Sequence, residues 1–354
     1  MSSLSRIPAL DSLRFLAATV VVFVHARAMM GWSAGEHGWI ERLLDARSAV
    51  IFFFVLSGYV LQRSWGTEKP TVRSWVAFVV RRWFRMVPLY YAALLLAVLL
   101  FALLPLASCP WFRDGVSGAT TLHRDHADLR QWLAHVLLID PRMDSSFINP
   151  PVWTLVVELQ MALLFPWLAW LVARARSVWF LGLWAGVTLL SQWLESVGVA
   201  NASCFSLFIA GMGLAVHGES WVPSLKPQAS ACIMVGGLMF YTCPELPGAW
   251  WRLHATLIAV GSALIMASAM ALPVMRRLLE HRLLVHGGEA SYGIYVLHFP
   301  LLMAVSFELW KNHLPAWLIL PLGFGISWLL ASALRARIEL PMIEVGRRLA
   351  RKLR

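Results

Sequence analysis

Arg14 and His25 are the two residues of this chain whose surroundings suit them least. Both lie in an apolar run, residues 10–30, long enough to span a bilayer as a helix. Eleven residues of α-helix turn through about 1,100°, so the two side chains fall roughly 20° apart on one face and about 16 Å apart along the axis. One end of that face carries a permanent cation, the other a titratable imidazole. Ionisable groups inside a span face a bundle interior or a wet cavity, and they mark function by default. Asp11, three residues before Arg14, is within pairing reach. Two plainer readings stand beside this one. In the first, Arg14 snorkels to one surface and His25 sits at the other. In the second, Arg6, the apolar stretch 15–24 and Ala26-Arg27-Ala28 form a secretory signal, although Asp11 and Arg14 crowd its apolar core. The expectation is that Arg14 and His25 line one protein-enclosed tunnel.

Three further sets of residues invite the same question. Glu158 lies a turn and a half inside the apolar helix that opens with Asn149-Pro150-Pro151-Val152-Trp153, and it needs a partner or a proton. Trp153, taken alone, reads as an interfacial anchor. Ser291, Tyr295 and His298 follow an i, i+4, i+7 stripe with Tyr292 beside them, which suits either glue between helices or a shared cavity. Arg82 and Arg85 are neighbours on one face of an aromatic-rich amphipathic helix, residues 73–91, with Arg81 flanking. Guanidinium clusters of this kind hold phosphate, on a small molecule or on a lipid headgroup. His123 and His126 in the long loop 107–151 have no evident third ligand, so no metal is expected there.

The elements that must position these residues are membrane helices. The chain has 354 residues, 59% of them hydrophobic and only 14% charged. Its mean hydropathy is +0.66, which excludes an ordinary soluble domain. The expected fold is all-α: a polytopic bundle of about ten transmembrane helices, near residues 10–30, 47–63, 86–106, 152–172, 177–194, 201–217, 228–243, 253–272, 290–309 and 316–334. The fifth to seventh are short. A single integral domain over 1–354 is expected, without an appended soluble domain. With both termini cytoplasmic, twenty of the thirty Lys and Arg fall on the inner side and nine on the outer. That bias explains a net charge of +11 without a nucleic-acid partner. Cys109, Cys204, Cys232 and Cys243 show no metal or redox spacing. A disulfide between Cys109 and Cys243, both expected outside, is possible but not implied.

Taken together, the motifs resemble the membrane-bound acyltransferase-3 family. The resemblance rests on Arg14-x10-His25, FFVLSGYVL at residues 53–61, RRWFR at 81–85 leading to Pro88 and Tyr90, VWTLVVE at 152–158, and SYGIYVLH at 291–298, in that order. The family often has Glu-Glu-Gln after the tryptophan motif; here Glu158 is followed by Leu159 and Gln160. The resemblance implies acyl-CoA, most often acetyl-CoA, as co-substrate, with no resident cofactor. It implies a carbohydrate or glycan hydroxyl as acceptor, on the external side of the cytoplasmic membrane. The expected catalytic residues are His25, as general base or as the carrier of an acyl-histidine intermediate, and Glu158 or another nearby carboxylate as its orienting acid. Arg14, Arg81, Arg82, Arg85 and Tyr90 are expected to bind acyl-CoA. Trp153, Ser291, Tyr292, Tyr295 and His298 are expected at the acceptor or oxyanion. A transporter or flippase of sugars, polyols or lipid-linked intermediates is the alternative that shares these spans and polar stripes.

Overall fold

A computed structural model describes residues 6–31, 38–105, 129–139, 149–245 and 251–353. The expectations for Cys109, His123 and His126 lie outside them. Among the described residues the chain is helical, with no strand. Every expected span has a helix: α1 (Pro8–Met29), α3 (Ala46–Trp65), α4 (Val72–Leu103), α6 (Trp153–Arg174), α7 (Ser177–Ser196), α8 (Cys204–His217), α9 (Pro227–Tyr241), α10 (Trp251–Ala271), α12 (Arg282–Lys311) and α13 (Ile319–Leu334). Shorter helices complete the chain: α2 (Trp39–Leu43), α5 (Leu129–Leu137), α11 (Pro273–Leu279) and α14 (Leu340–Lys352). Eight helical segments among the described residues are long and apolar enough to cross a membrane. The two that fall short are α8, 14 residues, and α9, 15 residues. At 1.5 Å per residue they reach about 21–23 Å, below the roughly 30 Å of a hydrocarbon core.

The chain divides into two compact units. The first holds Met1–Ala17, Gly35–Pro70 and Leu164–Glu289. Its helices meet at glycines. A Cβ on Gly58 of α3 would strike the Phe208 carbonyl of α8, and one on Gly211 of α8 would strike the Val55 carbonyl of α3. The glycine of FFVLSGYVL is therefore a backbone-to-backbone contact, the usual device where lipid supplies no hydrophobic drive between helices. α9 and α10 approach in the same way through Gly237 and Gly261. Asp45 caps α3 by accepting from the Ser48 amide at 2.7 Å. The start of α1 is held where the Ser12 hydroxyl donates to the Leu279 carbonyl, with Gly287 against Phe15 and Gly288 against Asp11.

The second unit holds Ala18–Ala34, Thr71–Leu163 and Ala290–Arg354. Its longest helix is α4, 32 residues, about 48 Å. The amphipathic stretch and the span expected after it are thus one helix. It starts at a Thr71/Ser74 capping box and runs through Pro88 without ending. Apolar Leu95, Leu99 and Leu103 lie exposed at four-residue spacing along its second half, a lipid-facing stripe. α14 packs on the first half, with Gly346 against Phe84. Between α13 and α14 the helix widens to a π-turn at Arg335–Glu339, and Glu339 is buried there. The Tyr90 and Tyr91 hydroxyls donate to the His135 and Val136 carbonyls at 2.8 Å and hold α5.

Gly58→Ala is expected to cost about 1–3 kcal/mol by forcing α3 from α8. Gly182→Ala, at a site open for 4 Å, should cost nothing. Thermal unfolding of the detergent-solubilised protein checks this; equal melting of both variants would contradict the contact.

Candidate active site

The second unit gathers most of the expected site residues. α12 is its spine, and Pro300 is the reason one of its carbonyls takes a side-chain donor. Proline has no N–H, so the Val296 carbonyl four residues back loses its helical donor. Asn149 replaces it, donating from Nδ2 at 2.8 Å. Just before Val296, the Tyr295 carbonyl accepts from His298 Nδ1 at 2.7 Å. The Tyr295 hydroxyl donates to the Pro151 carbonyl at 3.2 Å and accepts from Thr154 at 3.0 Å. Asn149, Pro151 and Thr154 thus fasten the start of α6 to α12. Asn149 carried no chemical signal of its own. A proline inside an apolar span was the clue that some donor must answer a freed carbonyl.

His25, on the second half of α1, stands beside this segment. Its ring lies 5.3 Å from that of His298, tilted by 39°, and 5.3 Å from Phe299, edge-on. Among the described residues His25 makes no hydrogen bond, with Glu158 or with any other side chain. His298 is fully buried. On α1, Val22 and Ala26 are fully buried.

Glu158 finds its partner in Arg82. The two form an ion pair between α6 and α4, their side chains 22% and 11% exposed. Trp75, seven residues before Arg82, donates its indole N–H to the Leu163 carbonyl at 3.0 Å and continues the same antiparallel contact. The Tyr292 hydroxyl donates to the Met86 carbonyl at 2.6 Å. Arg82, Arg85, Tyr90 and Glu339 lie within its electrostatic reach. Arg81 is half-buried and Arg85 exposed. Tyr90 is fully buried, with its hydroxyl committed to α5. Trp153 opens α6, half-buried, and Ser291 is buried on α12. Glu339 escaped the sequence reading; its only signal was a lone acid after an apolar span.

In the first unit Arg14 pairs with Asp11 at 3.1 Å, the i, i+3 contact its spacing allows. Asp11 also accepts from Arg6 Nε at 2.6 Å, and Arg6 pairs in turn with Glu289. Arg14 is thereby one member of a four-residue charge chain. Among the described residues no cluster of three metal-ligating side chains occurs.

Among the described residues the second unit provides an imidazole without a hydrogen bond, set against His298 and Phe299, and an Arg82–Glu158 ion pair. A model of the acyltransferase-domain family, acyltransferase-3, matches residues 7–336, and the chain belongs to that family. It is also similar to nodulation protein 10 of Rhizobium leguminosarum bv. viciae, 25% identical over 385 residues that cover 96% of this chain and 95% of that protein. No solved structure matches. The chain is therefore a membrane acyltransferase.

Removing either member of the Arg82–Glu158 pair takes an opposite charge from the other at a part-buried site. Arg82→Met or Glu158→Gln alone should lower stability by a few kcal/mol, and the double substitution should recover most of that loss. Thermal unfolding in detergent measures the cycle; strictly additive losses would contradict the pairing.

Proposed function

We propose that the chain transfers an acyl group, most often acetyl, from cytoplasmic acyl-CoA to a hydroxyl of a carbohydrate or glycan on the external side of the cytoplasmic membrane. The observation that carries this reading is His25: an imidazole with no hydrogen bond among the described residues, set against a second imidazole in an acyltransferase. A neutral imidazole is the side chain suited to take a proton from a hydroxyl near neutral pH. The hydroxyl O–H bond breaks as the oxygen bonds the thioester carbonyl carbon. The C–S bond then breaks, and the proton passes from His25 to the departing sulfur. Acyl-CoA is the only co-substrate this needs.

The donor carries phosphates. Arg85 is exposed beside Arg81 and Arg82 on the basic half of α4, which supports that half as the cytoplasmic phosphate contact. Arg82 serves it while held by Glu158, since a fixed guanidinium keeps its remaining N–H donors. Arg14, fixed by Asp11, is a permanent donor for the acyl-CoA arm rather than a base. Ser291 and Trp153 remain the residues proposed for the acceptor or oxyanion, while the Tyr292 and Tyr295 hydroxyls, which donate to the Met86 and Pro151 carbonyls, shape that side of the site. The positive-inside count supports cytoplasmic termini. Acyltransferase membership favours this reading over the transporter alternative.

His25→Ala should reduce transfer by at least about 10²-fold while the protein still inserts. Membranes given radiolabelled acyl-CoA and a carbohydrate extract report the rate, and immunoblotting reports the level. Substantial turnover by inserted His25→Ala protein would remove the proposed role.

A further inference from the structure

His298 holds a buried nitrogen that no described residue satisfies. Its Nε2 has no hydrogen-bond partner, and the residue is 0% exposed. Its Nδ1 lies 2.7 Å from the Tyr295 carbonyl. A carbonyl only accepts, so Nδ1 carries the ring proton and Nε2 presents a lone pair. A buried acceptor left without a donor lowers stability, and such an atom in a native fold calls for a role. The neighbouring side chain able to supply a donor is His25, its ring 5.3 Å away and without a hydrogen bond among the described residues. A neutral imidazole has one N–H, and rotation about the soft χ2 torsion re-aims it.

We propose that His298 is the positioning residue for His25: its Nε2 accepts the His25 N–H, leaving the opposite nitrogen of His25 as the base that faces the acceptor hydroxyl. The inference rests on the reading of His25 as that base. It replaces Glu158 in the orienting role, because the Glu158 carboxylate is engaged by Arg82. When His25 takes the hydroxyl proton it becomes an imidazolium with two N–H groups. One stays on His298 Nε2; the other hands its proton to the leaving sulfur. His298 itself neither gains nor loses a proton, since its own N–H stays on the Tyr295 carbonyl. The logic is that of a base held by a third group, with a neutral imidazole in place of a carboxylate. In an apolar bundle that choice orients the base without burying a second charge.

The test uses full-length protein in nanodiscs, with kcat and KM for acetyl-CoA. His298→Phe should lose about 10²-fold in kcat with KM changed by no more than about twofold, because transfer and not donor binding is affected. His298→Gln, whose amide oxygen takes the place of Nε2, should return to within about tenfold of wild type. Wild-type kcat in the phenylalanine variant, or glutamine no better than phenylalanine, would overturn the assignment. Should the phenylalanine variant not fold, ¹⁵N spectra of histidine-labelled wild-type protein decide. A protonated Nδ1 and bare Nε2 at His298 support the proposal; a protonated Nε2 overturns it. His25→Ala run in parallel separates the two failures. An active His25→Ala protein removes the base reading, whereas an inactive one beside a fully active His298→Phe protein removes only the role of His298.

Discussion

In hydrocarbon, a backbone carbonyl without a donor costs several kcal/mol, and Pro300 creates one in the middle of α12. Much of the second unit follows from answering that carbonyl. Asn149 donates to Val296, and its position brings Pro151 and Thr154 against Tyr295. His298 is fastened to the carbonyl just before. Without the proline the Val296 carbonyl would be met by its own helix and would offer Asn149 no anchor point. The irregularity that fixes α6 to α12 lies two residues from the ring that meets His25.

Charge and reactivity are divided between different residues. Three arginines near apolar surroundings are ion-paired: Arg14 and Arg6 with Asp11, Arg6 again with Glu289, Arg82 with Glu158. Each pair avoids the cost of an isolated buried ion and sets a guanidinium in a fixed direction. The groups left for proton chemistry are imidazoles, which are tolerated in apolar surroundings because they can be neutral.

The helices were legible because hydropathy and length are local properties, and each expected span has its helix. Their lengths were less so. α8 starts three residues later than expected, α9 ends two residues sooner, and α4 runs on through Pro88, so that the amphipathic stretch and the span after it are one helix. Asp11–Arg14 was readable from a three-residue spacing. Arg82–Glu158 and His25–His298 were not, since each joins two helices distant in sequence, and periodicity states which face a residue occupies but not what it meets. The requirement that Glu158 find a partner was visible; the identity of the partner was not. Gly58 was noticed as part of a motif, and its reason emerged only with the Phe208 carbonyl lying against it.

Mass spectrometry of the cell-envelope carbohydrate tests acyl transfer most directly, comparing cells that make this chain, cells that lack it and cells that make the His25→Ala form. The account predicts a glycan or small carbohydrate whose mass rises by one acyl group only where His25 is present. An envelope whose acylation is identical in all three, with the protein inserted, would contradict it.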